Sequence, residues 1–581
     1  MLPKIQFMMK RYSTDAVRKF LIPVIPSVFV FLYFVFAEPS HFYFQEQYQM
    51  FLFTSDYLRE VLSFPGGVAV YLGRFLTQFF ISAAAGALIL AILFWLIHRL
   101  VHMATGREDD FSLVLSLIPS VVLALYMCDE NAFLSAGIAI ALGLSAACPL
   151  RSVRGGWRCA AAALVLSAVI YFVAGNLGTV VFSAATCLSC KDFRIGLASL
   201  ATGLLCTYVS RYLFDYPFIR LLTGPHYHRY HDTVPLLPWV AAFSFWAISL
   251  PGDFFARVRR KVWSRMAYLV MICSMVSGLF LLRDGQKEEL MTYTYLIRHE
   301  DWDGILELAS KREPVDPIPL SCVNMALARK GYLGDWSFRF RQVGREGLFY
   351  PYRREHISPI PASMIYWNLG FINTCLRFTF AAEEVIPDYQ KSSWCHKRLA
   401  EIFLVNGQYD LSRKYLEPLK YTLFYRSWAL RTEKLLDNPD LIETHETYSA
   451  VRRRMLKEHH CTYVAEGLKA PLYYLCEEDN RNSLAYQYLL AFELLDKDLD
   501  GFAEHFDGSS FRNVPVAYQE AYVLYWSLDH PGPEGIPSFV SQKVIDRFMN
   551  FSSDYSSGNE KYLWNRYSNT YWFYYFFREQ K

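Results

Sequence analysis

Two stretches of this chain hold side chains that could do chemistry. The first, residues 38–77, offers the carboxylates Glu38, Glu46 and Asp56. A carboxylate at the mouth of a membrane cavity can take a proton from a substrate or hold a divalent metal, and Glu46 and Asp56 are the candidate catalytic groups. The second, residues 215–235, carries Arg220, His226, His228, Arg229, His231 and Asp232. Arg220, His226, His228 and Arg229 could grip a pyrophosphate through charge-assisted hydrogen bonds. His226, His228, His231 and Asp232 could instead ligate a divalent metal, although their spacing matches no standard zinc motif. In extended backbone His226 and His228 would share a side, because strand side chains alternate. Each stretch also has a plainer reading. The first could be a solvated helix face, and the second an interfacial loop with its Tyr and His rings at headgroup level.

Both stretches are loops between apolar segments. Crossing the hydrocarbon layer takes roughly 17–25 apolar residues. Candidate spans are 20–37, 78–97, 111–127, 132–148, 159–175, 177–190, 195–214, 236–250 and 266–282. The break at Gly175-Asn176-Leu177-Gly178 marks either a hairpin or one interrupted helix. The positive-inside rule chooses between them. With Lys4, Lys10, Arg11, Arg18 and Lys19 in the cytoplasm and nine crossings, every short basic loop lies inside, including Arg151, Arg154 and Arg158. Merging the fifth and sixth spans would put the Arg257–Arg265 cluster outside. Nine spans are therefore expected, with both chemistry-bearing loops and the C-terminal half on the outer face. Within the first loop, Phe44, Tyr48, Phe51, Leu52, Leu58 and Leu62 recur at near-helical spacing opposite Glu46, Gln49, Asp56 and Glu60. That pattern predicts an amphipathic helix at the interface, ended by Pro65-Gly66-Gly67. Val35-Phe36-Ala37 loosely imitates a signal-cleavage site, but the apolar run is long for that role and many spans follow.

The chain divides at about residue 282. Residues 1–282 hold 22 Lys/Arg against 14 Asp/Glu, and residues 283–581 hold 36 against 41, so +8 and −5 give the net +3. Neither half has the dense basic patch that nucleic-acid binding needs. The second half is helix-patterned and aromatic-rich. Arg398 to Leu419, with Ala400, a turn at Asn406-Gly407 and Tyr409, follows the helix-turn-helix pattern of a tetratricopeptide repeat. Degenerate units recur at 322–336 and 484–506, and an extramembrane α-solenoid is expected, its concave surface holding a protein or glycan. The aromatic tail at 562–577 is expected to cap that solenoid or dock on the membrane half. The fold class is thus all-α, a polytopic bundle at 1–282 followed by a repeat domain at 283–581. The cysteines of the spans, Cys187 and Cys190 among them, read as small apolar residues. Cys461 and Cys476 could pair in an oxidising compartment, and His459-His460-Cys461 is a fragment of a metal site without a second pair of ligands. No phosphate-binding loop, dinucleotide fingerprint or nucleophile elbow is present.

This order of parts (a polytopic N-terminal region, a long first outer loop with an acidic helix, and an outer repeat domain) resembles the GT-C class of membrane glycosyltransferases. It also looks like an uncharacterised family of bacterial inner-membrane proteins with degenerate repeat tails. The GT-C resemblance implies a polyprenyl-linked sugar donor and an envelope protein or glycan as acceptor on the repeats. It also implies an acidic residue, often in an acidic pair, early in the first outer loop. Here that loop offers Glu38, Glu46 and Asp56, singly. Such an enzyme would sit in a bacterial inner membrane, N-terminus cytoplasmic and C-terminal domain periplasmic. The alternative is a non-catalytic, membrane-anchored scaffold whose repeats recruit envelope proteins.

Overall fold

A computed structural model describes residues 20–578 except 107–108, 154–155, 225, 231, 250–260, 353–356, 387–389, 458–466, 480, 531, 557 and 559. Among the described residues it is all helix and turn; the only β-type pairings are two isolated bridges, Ala132 with His228 and Val343 with Arg345. Two compact units emerge. The first comprises residues 1–288 together with 386–393 and 418–427, and the second the remainder. The division is thus not a single cut near residue 282.

Among the described residues of the first unit, five helices are long and apolar enough to cross a membrane: Ala83–Thr105, Ser135–Ser152, Gly156–Cys190, Phe193–Ser210 and Val262–Leu282. Phe20–Phe36 makes a sixth if it is joined to Pro39–Glu46, from which it is bent by 78°. The shortfall against nine spans has local causes. The 111–127 segment is broken into Asp110–Leu115 and Ile118–Tyr126, with Pro119 in the first turn of the second helix, where a missing N–H costs nothing. Leu236–Ile248 has only 13 residues. The expected 78–97 span begins instead at Ala83, because Ser82 is extended (φ −122°, ψ 121°), and runs to a left-handed Gly106.

The fifth and sixth expected spans are contained in Gly156–Cys190, and they form a hairpin. Gly175 holds φ 67° and ψ −171°, a conformation open to glycine. Cys159 and Cys190 would be about 46 Å apart on a straight helix at 1.5 Å per residue. Their Cα atoms are 6.3 Å apart and their sulfurs are bonded. The two legs therefore run back on each other, and Cys190 is a disulfide partner, not a packing residue. A Cβ on Gly175 would come within 2.8 Å of the Tyr227 hydroxyl. Beside it Asn176 Nδ2 donates to Thr207 Oγ1 and to the carbonyls of Leu221 and Leu222, tying the hairpin tip to the second chemistry-bearing loop.

The expected interfacial helix does not form as one piece. Pro39–Glu46 is helical, the chain then extends, and Thr54 starts a separate helix, Ser55–Leu62, by accepting from Tyr57 N. Met50 N donates to Lys391 O and Phe53 N to Tyr421 O, so this extended stretch finds its backbone partners in the inserted segments. The sidedness also differs from the periodicity: Glu46 and Gln49 are buried while Leu58 and Leu62 are exposed. A polar residue can be buried when its hydrogen bonds are met inside, a possibility that a hydropathy pattern does not encode.

In the second unit, hairpins of helices follow one another: Trp302–Lys311 with Pro317–Lys330, Pro359–Leu369 with Ile372–Glu384, and Lys469–Glu478 with Ser483–Leu495. The diagnostic segment is indeed helix, turn, helix, with Gly407 at φ 74° between Ser393–Val405 and Tyr409–Leu419, and Ser412 Oγ donating to Ala400 O. Yet the unit is not a one-dimensional array, in which each repeat would touch only its neighbours. Pro317–Lys330 packs on Ser483–Leu495, and Leu333–Trp336 packs on Val516–Asp529, where Asp335 accepts from Val516 N. The aromatic tail closes the unit. Buried Tyr571 and Trp572 donate through N and Nε1 to Glu520, at 2.8 and 2.7 Å. In the C-terminal half, Cys322, Cys375, Cys395 and Cys476 form no disulfide; His459, His460 and Cys461 lie outside the described residues.

Candidate functional site

At one end of the first unit three loops zip together. The turn after Tyr126 pairs with the second chemistry-bearing loop: Phe133 N donates to Tyr227 O at 3.0 Å and Arg229 N to Asn131 O at 2.9 Å. The Tyr126 hydroxyl bridges the Phe133 and Tyr227 carbonyls, and Ser135 Oγ donates to His226 O. Helix Pro39–Glu46 lies against the same turn, with Gln45 Nε2 donating to Ala132 O at 3.0 Å and contacting His41 Nε2 at 3.2 Å. The opposite end gathers basic residues. There Arg151 donates to Ala104 O, Ser189 to Ala147 O, and the Cys159–Cys190 bridge closes the hairpin near Arg158 and Lys191.

The zipped end buries an unusual number of ionisable groups for a helical bundle. Glu38, His41, Glu46, Glu130, His228, Arg229 and Glu288 are all less than a tenth exposed. Most are satisfied. His228 Nε2 meets Asp129 Oδ2 at 3.1 Å, and Lys287 Nζ meets Glu130 Oε1 at 2.8 Å. Burial alone would raise the Asp129 carboxyl, but bonds from His228 and Asn131 outweigh it and hold the group below its usual value. Two carboxyls go the other way. Burial pushes Glu38 up to about 7, against the pull of Tyr33 and Arg283, and pushes Glu288 up to about 8 although Ser40 N donates to it at 2.9 Å. Glu38 Oε2 has no hydrogen-bond partner among the described residues. Glu38 thus combines a carboxyl with a raised pKa, an unpartnered buried oxygen and a nearby cation, Arg283. Such a group can take or return a proton near pH 7.

The expected site residues do not converge. Asp56 stands on the surface beside Arg59, at 3.6 Å, and Glu46 is buried on a different helix. Arg220 is bound to Asp232 at 2.5 Å. Arg229 lies over the Tyr48 ring, 3.7 Å from its centroid. His226 packs its ring on Phe64 at 4.2 Å and lines a recess of about 400 Å³ with Gly175, Asn176 and Tyr216. His226, His228 and Asp232 therefore have three different neighbourhoods, and His231 lies outside the described residues. Among the described residues no three His, Cys, Asp or Glu groups converge as a metal site would require. The acidic pair that the first loop lacks is in the turn after Tyr126, as Asp129-Glu130, brought alongside by Gln45. Its adjacency in sequence was the signal available; its distance from the first loop hid the meeting.

No curated protein and no solved structure is detectably similar to the chain. One family model, described as a family of unknown function (DUF6057), matches residues 16–578. The match covers nearly the whole chain, which therefore belongs to that family.

Proposed function

We propose that this protein is a membrane glycosyltransferase of GT-C-like layout, moving a sugar from a polyprenyl-linked donor to a hydroxyl acceptor, with Glu38 as the proton acceptor. The observation that carries this reading is the buried Glu38 carboxyl, open at Oε2 and titrating near 7. In its ionised form Glu38 would take the acceptor's hydroxyl proton as the acceptor oxygen bonds to the sugar. The bond between sugar and phosphate breaks in the same step, and the leaving pyrophosphate keeps the electron pair. Arg283 stands near enough to Glu38 to pull against the rise of its carboxyl, Lys287 pairs with Glu130 at 2.8 Å, and cations there would stabilise charge gathering on the pyrophosphate. This assignment replaces Glu46 and Asp56 with Glu38, and moves the donor grip from the second loop to the helix that begins at Gly285. The basic residues at the opposite end favour the cytoplasm for that end and the outer face of a bacterial inner membrane for the cluster.

The test compares envelope glycans in cells lacking the protein, complemented by wild type, Glu38→Gln or Asp56→Asn at equal expression. Glycans restored by wild type and Asp56→Asn but not by Glu38→Gln are expected. Restoration by Glu38→Gln would favour the anchored scaffold, a reading that draws on the polar groove of the second unit described next.

A further inference from the structure

The second unit contains a groove of about 1280 Å³ at the start of Ser483–Leu495 and the chain following Leu499–His505. Its lining includes Asn482, Tyr486, His505 and Phe511. Asn482 caps Ser483–Leu495: its Oδ1 accepts from Ala485 N at 3.2 Å. The cap engages the amide oxygen and leaves Nδ2, which has no partner among the described residues although the residue is more than nine-tenths buried. An unmet buried donor is costly, and Asn482 is part of the groove lining, where a small shift of the amide would let a ligand's acceptor meet it. His505 presents the complementary function. Its Nδ1 is 2.6 Å from the fully buried Glu493. That contact orients the ring and leaves Nε2 as the nitrogen that a ligand's hydroxyl could meet, since a hydroxyl both donates and accepts.

The groove does not select charge. Asp507 is already met by Ser509 N, Ser509 Oγ and Ser510 Oγ. Asp479 accepts from Arg481 N, and the lining carries two carboxylates against one guanidinium. Phosphates and acidic peptides are poorly matched to that lining. Tyr486 and Phe511 stand as a stacked ring pair, centroids 5.9 Å apart and 26° from parallel, offering a flat apolar face between hydrogen-bonding groups. A donor, an acceptor and a flat aromatic face together suit a sugar ring, whose C–H face is apolar and whose substituents both donate and accept.

We propose that this groove is a binding site for a neutral glycan, with Asn482 Nδ2 donating to a carbonyl or hydroxyl oxygen of the sugar and Tyr486–Phe511 stacking on the ring. The site stands on its own geometry, whether or not Glu38 performs transfer.

The experiment uses the full chain in lipid nanodiscs, free of sugar-headed detergent, and chitotetraose as probe, read by saturation-transfer NMR. Wild type and Glu38→Gln should bind alike. Asn482→Asp retains the oxygen that caps the helix and replaces the donor with a charged acceptor, and it should weaken binding about tenfold or more. Phe511→Leu, which leaves the cap untouched, should weaken it similarly. Wild-type affinity in both groove variants, or transfer to a neutral Gly-Ser peptide and none to chitotetraose, overturns the assignment.

Discussion

His228 Nε2 lies 3.1 Å from Asp129 Oδ2, joining residues 99 positions apart. This contact sits in the zipper that presents the Glu38 cluster, so its role is to position loops, and it is partly buried. Removing one member of such a pair leaves the other unmet, a loss of about 1–3 kcal/mol. Asp129→Asn should lower the thermal midpoint, and His228→Gln should do so by a similar amount. Their double variant should cost less than the sum. Strict additivity in a melting series in nanodiscs would show that the two do not interact.

Glu38 and Glu288 give stability a pH dependence of defined sign. Both have folded values above the ordinary carboxyl value, near 7 and 8, so the folded state favours their protonated forms. The stabilisation is full below about pH 4.5 and fades as pH rises through 7 and 8, by up to about 1.4 kcal/mol per pH unit for each proton. The melting midpoint should therefore fall between about pH 5 and 8 and level off above, and the Glu38→Gln, Glu288→Gln double variant should flatten that fall. An equally steep fall in the double variant would assign the dependence to other groups.

Gly175→Ala tests the hairpin. Alanine at φ 67° is strained, and its Cβ would approach the Tyr227 hydroxyl to 2.8 Å. A loss of about 1–3 kcal/mol is expected, with partial recovery when Tyr227→Phe removes the clashing oxygen. A stable Gly175→Ala protein with unchanged mobility and melting would mean that the backbone can turn there without glycine.

A variant retaining only Cys159 and Cys190 reports which side the hairpin's closed end faces. That end carries Arg158 and Lys191, and the positive-inside rule assigns it to the cytoplasm. There the cell's reductants would open the Cys159–Cys190 bond and keep both sulfurs as thiols until lysis. Membrane-permeant maleimide should label the pair in intact cells, impermeant maleimide should not, and air oxidation after lysis should abolish labelling by closing the bond. Labelling of intact cells by the impermeant reagent would reverse the orientation.

Much of this architecture was readable from residue order, and the failures share a cause. Gly175 and the apolar ladder are local signals, so the fold-back was legible, as was the turn at Gly407. Pro119 was equally local, yet its effect on span length depends on how much helix each side retains. The amphipathic pattern from Phe44 to Leu62 misled because Glu46 and Gln49 turn inward and the chain between them and Thr54 pairs with residues near 391 and 421. Glu38 was visible as an acid in the first loop. What set it apart, burial beside Arg283 and Glu288, arises from contacts across almost 250 residues (Ser40 with Glu288 is separated by 248), and no local periodicity encodes those. The Cys159–Cys190 bond escaped for the same reason, since it follows only once the hairpin is accepted.

The chain passes between its two units at residues 288, 385, 393, 417 and 427, and this has a consequence for biogenesis. The backbone of Met50 and Phe53 waits for Lys391 and Tyr421, which the ribosome adds more than 300 residues later. The membrane helices can be inserted in order while the edge of their own unit stays open. Neither unit can be finished before most of the other has been translated. A protease cut or an expression boundary near residue 283 would therefore not release two working pieces: it would leave the first with unpaired backbone and the second with two stretches that have lost their place.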